Sequence, residues 1–127
     1  RRNIEPRFGY WTLPAGFMEN QESTSEGALR ETLEECGTTA LCRQPFSLIS
    51  IPHINQVHLF YIAELPAPDF HPTEESSEVE LFDLNNIPWE ELAFSSVHRT
   101  LEFFIEDQAR GHYGFHEDTI VFRPHAL

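Results

Sequence analysis

The segment between Ser23 and Gly37 constrains the fold more than any other part of the chain, because it carries signals for both ends of a helix. Ser23 and Glu26 have the spacing of a capping box, in which side-chain and backbone groups at the start of a helix bond reciprocally. Gly37 supplies the left-handed residue that ends many helices. The sequence therefore predicts a helix with a defined start and a defined end.

This predicted helix has an apolar face and an acidic face. At roughly 100° per residue, five side chains form a stripe suited to a core: Ala28, Leu29, Thr32, Leu33 and Cys36. Glu31, Glu34 and Glu35 form the other stripe, where like charges three or four residues apart disfavour the helix. Two interpretations are open: a solvated acidic surface, or a site for Mg²⁺ or Mn²⁺, which prefer oxygen ligands.

The wider context favours the cation site. From Gly16 to Thr38 the chain reads GFMENQESTSEGALRETLEECGT, which resembles the Nudix box. The matching positions are Gly16, Glu22, Arg30, Glu31, Glu34, Glu35 and Gly37. Thr32 and Thr38 stand where the family has hydrophobic residues, and neither change affects a carboxylate. The resemblance implies a Nudix fold of the α/β (α+β) class, with a mixed β-sheet sandwiched between helices.

The resemblance also implies an activity. Nudix hydrolases act on nucleoside diphosphates linked to another moiety, and they use Mg²⁺ or Mn²⁺. The segments TLPAGFME and VELFDLNNIPWEELAF are similar to a branch associated with FAD and ADP-ribose pyrophosphatases. Pro52, 15 residues beyond Gly37, lies near the offset of a proline that marks ADP-ribose hydrolases. We therefore expect hydrolysis of ADP-ribose or an FAD-like dinucleotide to AMP and a phosphorylated product.

Roles for individual residues follow from the same resemblance. Gly16, Glu31, Glu34 and Glu35 are the expected metal site, and Glu22 with Arg30 the expected structural ion pair. The identity of the general base stays open among four acids, two in the box and two in a later loop: Glu34, Glu35, Glu75 and Glu78. Arg7, Trp11 and Phe17 are the expected substrate-binding residues, since a guanidinium binds phosphate and aromatic rings stack on bases or flavins.

Charge narrows the class of partner. The chain has 21 acidic residues against 8 basic ones and a formal net charge of −13, which disfavours binding to nucleic acid or an anionic membrane. A small nucleotide remains compatible, because a bound cation can reverse the local field. Two cysteines without a CxxC pair predict reduced thiols and a cytoplasmic protein. A homodimer is the expected oligomer, if one forms.

Three alternatives remain at this point: a nucleoside triphosphate hydrolase, a non-catalytic Nudix-fold ligand sensor that regulates transcription, and an inactive fragment. Related bacterial enzymes often carry a zinc ribbon before this domain, and none is visible here. No hydrophobic strand precedes the first loop, which opens with Arg1 and Arg2. Residues 1–127 are therefore predicted to form a single Nudix domain that lacks its N-terminal strand or strands.

The remaining elements are predicted from local patterns. Strands are expected at 10–13, 48–51, 57–63, 79–82 and 119–122. The strands at 48–51 and 57–63 should form a pair across a turn at 52–55. A loop is predicted at 66–72, a short helix near Pro88, and a helix at 95–110 that ends at Gly111.

Overall fold

A computed structural model of the protein describes residues 1–67 and 69–121. Two helices and three strands follow one another along the chain: α1 (Thr24–Cys36), β1 (Leu41–Ile51), β2 (Gln56–Glu64), α2 (Ser95–Arg110) and β3 (His116–Thr119). Short 3₁₀ helices lie at Pro52–Ile54, Leu84–Asn86 and Trp89–Glu91. Neither α-helix is long and apolar enough to cross a membrane, as far as the described ranges extend.

The three strands form a mixed sheet in the order β2-β1-β3, with β2 antiparallel and β3 parallel to β1. The predicted pair of strands is confirmed, and both strands are longer than predicted. Their connection is the short 3₁₀ helix, and it closes with Asn55 in the left-handed region at φ 54°. Pro45 is accommodated in β1 because the pairing register shifts beside it.

The hydrophobic core lies between β1 and α2. Phe46, Ile49 and Ile51 of β1 pack with Phe103 of α2 in one buried cluster. The predicted helix at 95–110 is confirmed, and it ends at Gly111 in the left-handed conformation. The predicted combination of a mixed sheet with helices is also confirmed.

The predicted ends of α1 are confirmed in detail. The Ser23 side chain accepts a hydrogen bond from the Glu26 backbone, and the Glu26 side chain accepts one from the Ser23 backbone. Gly37 has φ 68°, and its N–H donates to the Leu33 carbonyl. These bonds satisfy backbone groups that a helix otherwise leaves unpaired at its ends.

The apolar stripe of α1 is not buried as predicted. Only Gly27 and Glu35 are buried in this helix, and Leu33 is 52% exposed. The reason is that part of the stripe, Thr32 and Cys36, lines a cleft instead of packing on the sheet.

This apolar cleft, of about 340 Å³, is bordered by α1, α2 and two extended segments of chain. Its apolar lining includes Trp11, Leu13, Leu65, Phe70, Val79, Leu81, Phe82, Val97 and Leu101. Leu81 is 63% exposed. Covering apolar side chains stabilises a protein by about 0.8 kcal/mol for each buried methylene group, so this surface strongly favours an occupant.

The strands predicted at 10–13 and 79–82 are wrong. Trp11 makes only an isolated bridge with Leu92, and residues 79–82 belong to no sheet. A strand requires a neighbour for its backbone N–H and C=O groups, and the described residues place no strand beside either segment. Both segments line the apolar cleft. The strand predicted at 119–122 is displaced: β3 spans His116–Thr119, residues 120 and 121 belong to no strand, and Phe122 lies outside the described residues.

A buried carboxylate joins β3 to the end of α2. Asp107 is 2% exposed and accepts hydrogen bonds from His116 Nε2 at 2.7 Å, Arg110 Nη2 at 2.6 Å and the Gly114 N–H at 2.8 Å. The His116 ring stacks on Phe103 with centroids 4.3 Å apart. The bond from His116 is the main cause that lowers the pKa of Asp107 below its ordinary value.

This junction predicts a stability loss in acid. Because the pKa of Asp107 is lower in the folded protein, its contribution is present above the unfolded pKa near 4 and disappears as the pH falls further. We expect Asp107→Asn to lower the melting temperature by several degrees at neutral pH and to weaken the acid dependence. Asp118→Asn, which breaks a half-exposed pair with Arg99, is the matched control and should change the melting temperature and its acid dependence little. Equal effects of the two variants, measured by thermal unfolding, would contradict this role.

Candidate active site

Three carboxylates converge beside α1. Glu31 and Glu35 are one helical turn apart, and Glu75 approaches them from the segment between β2 and α2. One oxygen from each lies within 4.8 Å of the others. Residues four apart face the same side of a helix, so the spacing within the box brings the first two together.

Glu35 is the most enclosed member of this group. It is 8% exposed, and one of its oxygens accepts a hydrogen bond from the Ala15 N–H at 2.9 Å. Burial raises its pKa to about 8, and the charges of Glu31 and Glu75 act in the same direction. A carboxylate whose ionised form is this unfavourable gains from a nearby cation.

Gly16 lies directly against Glu31. A Cβ atom built on Gly16 would collide with the Glu31 carboxylate, so a side chain at this position would force that carboxylate to move. The structure thus places Gly16 beside the Glu31 carboxylate, and its predicted role in the metal site stays a prediction.

Arg30 ties the preceding loop to the acidic face of α1. Its Nε donates to Glu22 Oε2 at 2.7 Å and its Nη2 donates to the Phe17 carbonyl at 3.0 Å. Its Nη1 donates to Glu31 at 2.8 Å and to Glu34 at 3.2 Å. The carboxylates raise the pKa of Arg30, with Glu22 as the main cause. The predicted pair of Glu22 and Arg30 is thus present, and Arg30 also offsets the charge of the helix.

Three residues that the sequence analysis did not select hold the Glu75 segment in place. The His71 N–H donates to the Cys36 carbonyl at 2.8 Å, and the Asn3 N–H donates to the Glu75 carbonyl at 2.9 Å. The Thr73 hydroxyl donates to the Glu35 carbonyl and accepts from the Glu75 N–H, both at 3.3 Å. These contacts link residues that are distant in sequence, so no local sequence pattern predicts them.

Two of the other predicted acids lie outside the group. Glu34 is half-exposed and bonds to Arg30. Glu78 is also half-exposed and pairs with Arg1 at 3.2 Å. Of the two loop acids considered as general base, Glu75 is therefore the one that faces Glu31 and Glu35.

The three predicted substrate-binding residues do not meet in one place. Trp11 is buried and lines the apolar cleft, which Glu35 and Glu75 also border. Phe17 is 80% exposed and lines neither the apolar cleft nor a second pocket beside α2. Arg7 donates from Nε to the Ala93 carbonyl at 3.1 Å and lines the second pocket, with Trp89 and residues of α2.

Comparison with known proteins identifies the family. The model of the NUDIX domain matches residues 1–103, so the chain belongs to the Nudix family. A solved Nudix hydrolase from Nitrosomonas europaea is 44% identical and superimposes with a TM-score of 0.91, over 94% of this chain and 68% of that one. An ADP-ribose pyrophosphatase structure from Streptococcus suis, 20% identical, covers 87% of this chain and 83% of its own, with a TM-score of 0.65, and shares the fold.

Two curated relatives are similar in sequence. An ADP-ribose pyrophosphatase from Methanocaldococcus jannaschii is 30% identical over 100 residues, covering 74% of this chain and 57% of the relative. A NAD-capped RNA hydrolase from Chromobacterium violaceum is 34% identical over 95 residues, covering 73% of this chain and 36% of the relative. The chain thus spans about half or less of the length of these relatives.

The donor set fits a hard divalent cation. Three carboxylates offer only oxygen atoms, which suit Mg²⁺ and Mn²⁺ better than softer metals. Burial is the main cause of the raised pKa of Glu35, and the charges of Glu31 and Glu75 add to it, so a cation bound beside these residues would favour the ionised carboxylate.

A dependence of stability on pH follows from Glu35. Its pKa is about 8 when folded and near 4.5 when unfolded, so the folded protein binds the proton more tightly between these values. Without metal, this contribution to stability is full below the lower pKa and is lost as the pH rises through the upper one. We expect the melting temperature to fall over this range in wild type and to fall less in Glu35→Gln. The exposed Glu106 on α2 provides the control variant, Glu106→Gln, which should behave as wild type; an equal slope in all three proteins would contradict the assignment.

Gly16 gives a second test. We expect Gly16→Ala to weaken Mn²⁺ binding about tenfold or more, because its methyl group displaces Glu31 from the other carboxylates. Isothermal titration calorimetry measures this affinity. Gly114→Ala is the matched control: apart from the adjacent residues, the nearest atom to a Cβ there is Asp107 Oδ2, at 3.9 Å, which is ordinary van der Waals contact. Unchanged affinity in the folded Gly16→Ala variant would show that Gly16 does not shape the site.

Proposed function

We propose that this Nudix domain is a divalent-cation-dependent pyrophosphohydrolase that cleaves a nucleoside diphosphate linked to another moiety. The observation that carries the proposal is the convergence of Glu31, Glu35 and Glu75 beside Gly16. Three close carboxylates would repel a pyrophosphate by themselves. With Mg²⁺ or Mn²⁺ bound, the same residues attract it.

In this proposal Glu31 and Glu35 hold the cation on α1, with Gly16 allowing the loop to approach. Glu34 is half-exposed beside them and could join the shell through a change of rotamer, as its place in the box suggests. A bound divalent cation supplies charge neutralisation for the phosphates and lowers the pKa of a coordinated water. The reaction is hydrolysis of a P–O–P bond: water attacks one phosphorus, and the other phosphate departs with the bridging oxygen.

Glu75 is the proposed general base. It faces the helix carboxylates while remaining exposed to solvent, so it can take a proton from the attacking water. Thr73 and Asn3 position it through hydrogen bonds to its backbone. Glu78, bound to Arg1, and Glu34, bound to Arg30, are each engaged in an ion pair.

ADP-ribose and FAD are the proposed substrates. The relative from Methanocaldococcus jannaschii is an ADP-ribose pyrophosphatase by name, and it aligns over most of this chain. The relative from Chromobacterium violaceum is named for NAD-capped RNA, which shares the ADP-containing dinucleotide group. The net charge of −13 disfavours a long RNA substrate, and the proposal therefore concerns small dinucleotides.

A substrate panel tests this proposal. With Mg²⁺ or Mn²⁺ present, we expect turnover of ADP-ribose or FAD with AMP as a product, detected by chromatography. Removal of the cation with EDTA should abolish turnover. Free nucleoside triphosphates and NAD-capped RNA belong in the same panel. If the protein hydrolysed one of these two and neither ADP-ribose nor FAD, the proposed substrate class would be wrong.

Variants test the proposed residues. We expect Glu31→Gln, Glu35→Gln and Glu75→Gln each to lower kcat/KM by about a hundredfold or more, because each removes a charge from the reacting site. Glu106→Gln again serves as the exposed glutamate control and should retain wild-type activity. If Glu75→Gln retained activity within about tenfold while the helix variants lost it, the base would be another residue.

A further inference from the structure

The segment that follows β2 caps the C-terminal end of α1. The last four carbonyls of an α-helix have no partner within the helix and need one from outside. The Cys36 carbonyl accepts a hydrogen bond from the His71 N–H at 2.8 Å. The Glu35 carbonyl accepts one from the Thr73 hydroxyl at 3.3 Å. Residues 71–73 therefore lie against the helix because they satisfy its terminal carbonyls.

The Thr73 side chain extends this cap to the proposed general base. A threonine hydroxyl has one hydrogen to donate and lone pairs that accept, and both functions are used here. It donates to the Glu35 carbonyl and accepts from the Glu75 N–H, each at 3.3 Å. One hydroxyl group thus bridges the backbone of a residue proposed to bind the cation and the backbone of the residue proposed to take the proton.

The start of the chain holds the other side of the same segment. Arg2 and Ser76 form an antiparallel bridge. The Asn3 N–H donates to the Glu75 carbonyl at 2.9 Å, and its side-chain amide donates to the Glu74 carbonyl at 3.3 Å. The carbonyl of Glu75 is thus held by the first residues of the chain, whereas its N–H is held, through a hydroxyl, by α1.

We propose that Thr73 is a positioning residue for the hydrolysis, because its hydroxyl fixes Glu75 relative to the cation held on Glu31 and Glu35. This inference rests on the proposed function, which assigns the cation and the base. A general base must lie about 2.6–3.2 Å from the atom whose proton it takes, and a displacement of about 1 Å can lower a rate about a hundredfold. Thr73 acts through Glu75 and not on the reacting atoms.

Two substitutions separate the hydroxyl from the shape of the side chain. Thr73→Val keeps a branched side chain and removes both hydrogen bonds, whereas Thr73→Ser keeps the hydroxyl. With Mg²⁺ and ADP-ribose, or FAD if the panel favours it, we expect Thr73→Val to lower kcat about tenfold or more and to leave KM within about threefold. Thr73→Ser should restore kcat to within about threefold of wild type. The exposed Thr119 on β3 provides the control, Thr119→Val, which should retain wild-type kinetics.

A double-mutant cycle tests whether Thr73 acts through Glu75. Residues that work as a unit have strongly non-additive effects on a rate. In the Glu75→Gln background, Thr73→Val should therefore lower kcat by less than about twofold further. An equal loss of kcat in both backgrounds would overturn the proposal, and so would a Thr73→Val variant that raises KM and leaves kcat unchanged.

Hydrogen exchange gives a readout that does not need activity. Because Thr73→Val removes the acceptor of the Glu75 N–H, we expect this amide to exchange about tenfold faster than in wild type, measured by NMR. Thr73→Ser should exchange as wild type does. Mn²⁺ affinity, measured by calorimetry, should change less than about threefold, since Glu31 and Glu35 keep their places on α1. Unchanged exchange at Glu75, or a tenfold loss of Mn²⁺ affinity, is incompatible with the proposed role.

The same assays separate the role of Thr73 from the hydrolase activity itself. Absence of turnover in the wild-type protein would contradict the proposed function and, with it, the role of Thr73. Wild-type activity in Glu75→Gln would contradict the choice of base, again with the role of Thr73. Activity that depends on Glu75 but is the same in Thr73→Val and Thr119→Val would contradict the positioning role alone.

Discussion

The acidic face of α1 depends on the guanidinium of Arg30. Its planar group contacts the carbonyl of Phe17 and four acids at the same time: Glu19, Glu22, Glu31 and Glu34. A flexible ammonium could not match this fixed arrangement of donors. The loop from Gly16 to Glu22 is therefore held against the helix by a charge that also reduces the repulsion among its carboxylates.

Local sequence predicts the parts of this structure that are local. The capping residues define both ends of α1, and the four-residue spacing of Glu31 and Glu35 brings their carboxylates to one side. The pair of strands around Pro52 forms between neighbouring segments, so its pattern is also visible in the sequence. The glycine at position 16 is explained by the space that the Glu31 carboxylate occupies.

The remaining parts depend on contacts between distant residues. Glu75 could be named as a candidate, but its approach to Glu35 is fixed by Thr73 and Asn3, and neither has a recognisable pattern. Arg7, Trp11 and Phe17 are close in sequence yet occupy different surroundings, because the backbone turns sharply among them: Arg7 and Gly9 both have positive φ. The segments at 10–13 and 79–82 have strand-forming sequences, but a strand also needs a neighbour, which sequence alone does not supply.

The pairing of Arg1–Asn3 with Glu75–Glu78 has a consequence for the order of folding. Its two sides are separated by as many as 77 residues, and closing a loop of that length costs entropy before any contact repays it. Contacts of such long range tend to form late. The helix can bring its two carboxylates together early, whereas Glu75 joins them through contacts that Thr73 makes with α1 and Asn3 makes from the start of the chain. Complete assembly of the three carboxylates therefore requires contacts between residues far apart in sequence.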